Sequence, residues 1–325
     1  MNFYLFDVDH GQAAALRLPN GRWCMFDAGR TASFSPVEYV RRLSGEAQNF
    51  RFYKGTISHW HFDHLADYTE MLVARPQFLK TVSWDQEFLE NVEESSSEDS
   101  WPKVLTFGQQ YAGIYTTTGT ANYGDVIIRE LSMDPATARS VSGTANSAVN
   151  NASIVTRIEW MGYSILVCGD MEVEGWDYVL TDGPPLTRAL WQRHVSNINT
   201  LVAPHHGHNS AFSSTLMQAA NPQAVLVSVT SGDEHVNSGY SNIDGITIGG
   251  TAYKCITTRQ KGTVRIEVRA SESLVVPPSS YWTFDADGRR AAEQQKVTDA
   301  FSSIFGSLPL AKPTSNLNPF LRRFP

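Results

Sequence analysis

Four side chains that bind metal ions crowd into six positions of the stretch "TISHWHFDHLADY": His59, His61, Asp63 and His64. Imidazole nitrogens and carboxylate oxygens suit Zn²⁺ and neighbours such as Mn²⁺, so the chemistry on offer is that of a bound divalent ion. Groups this close in sequence converge only if the backbone turns beneath them, and a strand end running into a helix supplies that turn. An accidental run of exposed histidines is the duller alternative. However, the chain has nine histidines, and six of them fall in this turn and in "PHHGH" at 204–208. Asp170 ends the apolar run "ILVCGD", where an unpaired buried carboxylate would be costly and a cation would remove the cost. Alone, Asp170 reads as a turn or capping aspartate after Gly169, and Pro204-His205-His206-Gly207 as an ordinary loop. Together, the three segments stand at C-terminal ends of strands, where the sites of layered α/β folds collect.

The elements that must position these residues are short strands alternating with single helices. "FYLFDV" and "AAALRL" read as strands, Asn20-Gly21 is a two-residue hairpin signal, and a third strand ends at Asp27. Ser35-Pro36-Val37-Glu38 opens a helix with a capping box and proline in its first turn, and Gly45 closes it. "KGTIS" is a fourth strand leading into the histidine cluster, and Leu65, Tyr68 or Thr69, and Leu72 keep helical spacing until Pro76. "ASIVTRIEW" and "YSILVCGD" form a hairpin across Met161-Gly162, with Ile154, Ile158 and Trp160 on one alternating face. "TLVAP" runs into "HHGHNS", a helix follows to Ala220, and "QAVLVSV" is the next strand. Two halves of this kind predict packed sheets with helices outside.

The order of these segments resembles the metallo-β-lactamase superfamily. The residues that carry the likeness are "DVDHGQAAALRLPNGRWCMFDAG", "ISHWHFDH", "NNASIVTRIEWMGYSILVCGD" and "VAPHHGHNSAFSSTLMQAANPQAVLVSV". Within the superfamily the chain is most similar to the ComEC-type branch, the hydrolase domain of the bacterial competence channel and its free-standing relatives. The resemblance spans about residues 1–270 and implies an αββα sandwich of two mixed sheets with a two-metal site between them. It also implies that His59 and His61 hold one metal, Asp63 and His64 the other, that Asp170 bridges, and that His206 completes the second site. His205 is then a neighbouring acid or an alternative ligand, with Asp63 and His205 the candidate catalytic groups. A hydroxide bridging two such ions is a strong nucleophile, because coordination lowers the pKa of water from about 15.7 toward 7. Asp27 in "FDAG" orients a ligand histidine or is a turn aspartate before Gly29.

The chain departs from the branch's pattern in three places. Asn150 stands where many members carry histidine, followed by Asn151, so the first metal lacks a strong ligand there and is completed by water or held weakly. "DVDHGQ" puts Gln12 at a position usually held by aspartate and adds His10. Arg259, with Lys261, stands in "ITTRQKGTVRIEV" where a Thr-Asp pair is usual, as a contact for an anionic substrate or as a solvated turn charge.

Composition sets the remaining limits. At 325 residues and 42% apolar the chain can bury a large core, and a formal charge of -7 gives no global attraction for nucleic acid. Cys24, Cys168 and Cys255 sit far apart in apolar runs and read as reduced core thiols. The start has no leader pattern and no stretch approaches a membrane span, so a cytoplasmic protein without membrane contact is expected. Residues 85–102 are acidic without Lys or Arg and read as a solvated loop or helix edge. Strand patterning ends near 275, and 271–325 is expected as a C-terminal extension that docks on its own sandwich, on a protein partner or on a second subunit. The expected function is a metal-dependent hydrolase using two divalent ions, Zn or Mn. A small phosphodiester or nucleic acid is the preferred substrate. The alternatives are hydrolysis of ester, amide or lactam bonds, or a metal-binding interaction module with little catalysis.

Overall fold

Short runs of apolar residues, ended by glycine, asparagine or proline, become strands buried on both faces. The computed structural model describes residues 1–45, 49–111, 123–230 and 236–269, with the backbone of 279–285. The strands are β1 (Asn2–Leu5), β2 (Ala13–Arg17), β3 (Trp23–Ala28), β4 (Lys54–Thr56), β5 (Phe78–Lys80), β6 (Ile127–Leu131), β7 (Val155–Trp160) and β8 (Tyr163–Val167). They continue with β9 (Thr200–Val202), β10 (Ala224–Val227), β11 (Ile246–Ile248), β12 (Thr251–Tyr253), β13 (Cys255–Thr257), β14 (Thr263–Arg269) and β15 (Ser279–Asp285). One sheet runs β15-β14-β1-β2-β3-β4-β5 and the other β13-β10-β9-β8-β7-β6, while β11 and β12 form a separate hairpin. Both sheets are mixed. In the first, β3, β4 and β5 are parallel and the other pairs antiparallel; in the second, β8, β9, β10 and β13 are parallel and β6, β7 and β8 antiparallel.

Alternation along each strand decides which layer a side chain joins. Phe3, Leu5, Cys24 and Phe26 pack against Ile165, Val167, Val202 and Leu226 from the other sheet. Their neighbours Tyr4, Met25, Leu166, Leu201 and Val225 face outward, among Val37, Val40, Met71, Trp176, Trp191 and Leu216. Those outer residues come from α1 (Pro36–Ser44), α2 (Tyr68–Ala74) and three further helices. The helices in between are α3 (Gln86–Glu94), α4 (Trp101–Tyr111), α5 (Pro135–Val141) and α6 (Ala145–Asn151). After them come α7 (Val173–Asp177), α8 (Pro185–Val195), α9 (Ser214–Ala220) and the short α10 (Thr258–Lys261). The architecture is the expected αββα sandwich. Burying an apolar side chain of this size stabilises by about 1.5–3 kcal/mol, so strands buried on both faces carry most of the stability.

The first half matches the sequence reading closely. Ser35 caps α1 by accepting from the Glu38 amide at 3.0 Å, and Gly45 closes it at φ 75°. Losing such a cap costs about 1 kcal/mol. Other expectations need correction. Ile154 precedes β7 and packs in the outer cluster, whereas Ile158 and Trp160 lie between the sheets. The Ile154 amide donates to Ser58 O at 2.8 Å, outside the sheet ladder, and β7 begins only at Val155. Of the two readings of the acidic segment, the helix edge holds over 86–94: Asp85 caps α3, which buries Phe88 and Val92 and keeps its carboxylates outside. Strand structure continues past 275, where β15 pairs antiparallel along β14. Residues from 286 onward lie outside the described residues, and with them the docking of the extension. Cys24 and Cys168 are buried and Cys255 half-buried, all three as free thiols, and burial pushes the Cys24 thiol up to about 12. None of the described helices is long and apolar enough to cross a membrane.

One buried base makes stability depend on pH. His194 of α8 donates from Nε2 to Val155 O at 3.0 Å. Burial lowers its pKa from 6.5 to about 4, the charges of Arg157 and Arg129 acting in the same direction and the hydrogen bond against it. Below pH 6.5 the unfolded chain takes up a proton that the folded chain resists. Stability therefore falls as pH drops toward 4, by at most about 3 kcal/mol. Urea melts between pH 7 and 4 should show this loss, and His194→Gln should flatten it; an unchanged slope in the variant would contradict the assignment.

Candidate metal centre

The histidine turn rests on backbone that only glycine tolerates. β4 ends at Thr56, the chain is extended at His61, and Phe62–His64 forms a tight 3₁₀ turn. Beneath it run the loops after β1 and β3: a Cβ on Gly11 would stand 2.6 Å from the Asp63 carbonyl oxygen, and one on Gly29 2.5 Å from it. On the facing sheet, β8 ends before Asp170 and β9 before the "PHHG" turn. His205 and His206 there adopt φ 48° and 52°, two successive left-handed non-glycine residues. Such strain costs of order 1–3 kcal/mol per residue and persists only where its surroundings enforce it.

Four ligating atoms meet at this junction. His64 Nε2 lies 3.2 Å from Asp170 Oδ1 and 3.7 Å from Asp63 Oδ2. His206 Nε2 lies 3.2 Å from Asp63 Oδ2, 3.5 Å from Asp170 Oδ2 and 3.4 Å from His64 Nε2. Bonds of about 2.1 Å in a tetrahedral site put ligand atoms roughly 3.4 Å apart, so the spacing fits one small divalent cation. Beside this set, His59 Nε2 and His61 Nδ1 are 3.1 Å apart, and His59 Nε2 is 3.8 Å from Asp170 Oδ2. Asp170 is thus shared between two groups of imidazoles. Its Oδ1 and the buried Nε2 of His61 make no hydrogen bond among the described residues.

A ring of hydrogen bonds sets which nitrogen each imidazole presents. Asp27 Oδ2 receives His64 Nδ1 at 3.0 Å, Ser58 Oγ at 2.9 Å and Gln12 Nε2 at 2.8 Å, and its Oδ1 accepts from the Ser58 amide at 2.6 Å. Gln12 therefore supports the site from the position where the sequence pattern called for aspartate. His206 Nδ1 donates to Ser228 O at 3.2 Å, and His59 Nδ1 is 3.0 Å from Ser58 Oγ. His10 is exposed, its Nε2 4.0 Å from Asp63 Oδ2 and its ring 4.9 Å from that of His206. His205 Nδ1 lies 3.4 Å from Glu172 Oε1 and 3.2 Å from Ser210 Oγ, while its Nε2 faces Asp170 Oδ2 at 3.9 Å. Asn150 stands behind, donating from Nδ2 to Glu172 Oε1 at 2.9 Å.

Electrostatics follow from this crowding. Burial alone would raise Asp63 and Asp170. The charge of His64 and the nearby His206 more than reverse that and hold both carboxylates below their ordinary range. Burial depresses His59 and His61, so their nitrogens stay unprotonated and open to a cation. His64 is raised: burial opposes its charge, but Asp170, Asp63 and Asp27 outweigh the opposition.

His59, His61, Asp63, His64, Asp170 and His206 are brought together, with Asp27 beneath them and His205 beside Asp170. Asn150 reaches the site through Glu172. Arg259 sits on α10, where its charge bears on Cys255. Sequence reasoning missed Ser58, Ser228 and Glu172. The serine directly before the first histidine and a second acid two residues past Asp170 were the available signals for two of them.

No protein-family profile and no curated relative matches the chain. Among solved structures, it is similar to the metallo-beta-lactamase fold protein YhfI from Bacillus subtilis at 12% identity, covering 72% of this chain and 88% of that one, with a TM-score of 0.37. It is also similar to Zn(2+)-bound PqqB from Methylobacterium extorquens at 11% identity, covering 62% and 72%, TM-score 0.34. Human tRNase Z, short form, matches at 9% identity over 71% and 93%, TM-score 0.34.

The Asp27 network yields a direct test. Asp27→Asn keeps the shape but removes the charge that receives His64 Nδ1, and loss of such a partner typically weakens metal affinity about 10–100-fold. Competitive Zn²⁺ titration should show that drop with the fold intact by circular dichroism; unchanged affinity would contradict the orienting role.

Proposed function

We propose that the chain is a metal-dependent hydrolase of phosphodiesters, built around two divalent ions that share Asp170. The observation that carries this reading is the spacing of Asp63, His64, Asp170 and His206 at 3.2–3.7 Å, with the His59–His61 pair on the other side of the same carboxylate. When bound, Zn²⁺ or Mn²⁺ ions supply Lewis acidity and an acidified water, and a closely spaced pair suits in-line displacement at phosphorus.

The chain's own residues do the rest. Asp27 keeps the proton of His64 on Nδ1, and Ser228 O keeps that of His206 on Nδ1, leaving both Nε2 atoms aimed inward. Asp63 Oδ2 lies between His206 and the exposed His10, on the side open to substrate. The likeness to the ComEC-type branch supports reading about residues 1–270 as the hydrolase domain of a cytoplasmic protein. In this reading the part of 271–325 beyond β15 is an extension that docks on the sandwich or on a partner, and Arg259 is a contact for an anionic substrate.

In this reading the acidic segment around α3 selects for small substrates. Trp84, just before it, packs on Trp60 of the ligand turn with ring centroids 4.5 Å apart. Arg139 neutralises Asp85 and Glu87, but Glu90, Glu93, Glu94, Glu98 and Asp99 remain exposed. In this reading their field, which decays over a Debye length of about 8 Å, disfavours a long phosphate backbone more than a small ester.

A substrate panel on protein of known metal content tests both points. A small chromogenic phosphodiester and short single strands should turn over faster than duplex DNA or a chromogenic lactam. His61→Ala and Asp170→Asn should lower turnover by at least about 100-fold together with metal content. Changing Glu90, Glu93 and Glu94 to Gln should raise activity on DNA. Full activity of metal-depleted His61→Ala would end the metal-dependent reading, and preferred lactam turnover would move the substrate class to amides.

A further inference from the structure

The His59–His61 pair and Asp170 leave the first ion short of a protein ligand, and two side chains are near enough in the fold to supply it. Asn150 is fully buried and spends its amide hydrogen on Glu172 Oε1 at 2.9 Å, while its Oδ1 has no hydrogen-bond partner among the described residues. His205 is placed by four contacts. Its backbone amide donates to Gly169 O at 3.0 Å, beside Asp170. Its Nδ1 faces Glu172 Oε1 at 3.4 Å and Ser210 Oγ at 3.2 Å. Its Nε2 points at Asp170 Oδ2 at 3.9 Å, the oxygen that His59 Nε2 approaches at 3.8 Å.

We propose that His205 Nε2 completes the protein ligands of the first ion, that Glu172 orients it, and that Asn150 holds Glu172 without touching the ion. The inference rests on the metal-dependent reading above. With Nδ1–H given to Glu172, the lone pair of Nε2 is left facing Asp170, as in the carboxylate–histidine pairs that orient metal ligands. An imidazole suits Zn²⁺ better than an amide oxygen does. The two left-handed residues explain how neighbours in sequence serve different ions. The His205 and His206 rings are turned 66° apart with centroids 6.2 Å apart, His206 toward Asp63 and His64, His205 toward Glu172. The histidine absent from position 150 is thus replaced from the other side of the cleft.

Zn²⁺ stoichiometry of the full chain, measured by mass spectrometry after dialysis against buffered Zn²⁺, separates the candidates. The wild type should hold two ions and His205→Gln one. The double variant His61→Ala with His205→Gln should still hold one, because both changes strike the same site, whereas His205→Gln with His206→Gln should hold none. Glu172→Gln should weaken the first ion about 10–100-fold and Asn150→Ala by less. Two ions at unchanged affinity in His205→Gln, or loss of an ion in Asn150→Ala alone, would overturn the assignment in favour of the amide. Should His205→Gln fail to fold, the order of Glu172→Gln and Asn150→Ala decides: a larger loss in Asn150→Ala overturns it. A wild type holding a single ion would contradict this proposal and leave a hydrolase, whereas a wild type holding none would end both readings.

Discussion

A carboxylate buried at the end of an apolar strand is the constraint around which the rest of the molecule is arranged. Asp170 is 2% exposed, and the ring nitrogens of His59, His64, His205 and His206 stand 3.2–3.9 Å from its oxygens. Removing a charge from water is expensive unless opposite charge and hydrogen bonds replace the solvent. The surrounding imidazoles reverse the effect of burial on Asp170, but they leave Oδ1 without a hydrogen bond and bring two Nε2 atoms to 3.4 Å. Two imidazole nitrogens that close cannot both carry protons comfortably. Cations shared among carboxylates and imidazoles relieve both problems at once.

The sandwich exists to hold that arrangement still. The histidine turn belongs to one sheet, and Asp170 and the "PHHG" turn belong to the other. The Ile154 amide bridges them to Ser58 O at 2.8 Å, and a buried Lys54–Glu130 ion pair at 2.9 Å joins β4 to β6. The strained pair His205–His206 is tied down by the bond to Gly169 O and by the His208 amide on His205 O at 2.8 Å. Rigid sheets with close-packed faces can impose such conformations, because shifting one strand disturbs every neighbour.

Much of this was legible from the sequence, for reasons that can be named. Strands ended by Asn20-Gly21 or Met161-Gly162, and a helix ended by Asn221-Pro222, carry turn chemistry that allows little else, and Ser35 with Glu38 states a helix start outright. The candidate ligands showed themselves because histidines and acids cluster at strand ends. Other parts were hidden. Ser228 acts through its backbone carbonyl, which leaves no compositional mark. Glu172 and Asn150 reveal their roles only once α6 and the Asp170 loop are folded together. α3 was read as a solvated segment because its acids mask the helical spacing of Phe88 and Val92. β5 and β13, three residues each, are shorter than any periodicity can register.

The most direct test of the account is anomalous diffraction at the zinc edge from crystals grown with Zn²⁺. The account predicts two peaks about 3.5–4 Å apart, one on each side of Asp170. One should fall within bonding distance of Asp63, His64 and His206, and the other within bonding distance of His59 and His61. Crystals at saturating Zn²⁺ with no peak at Asp170, or with Asp170 turned away from the ions, would contradict it.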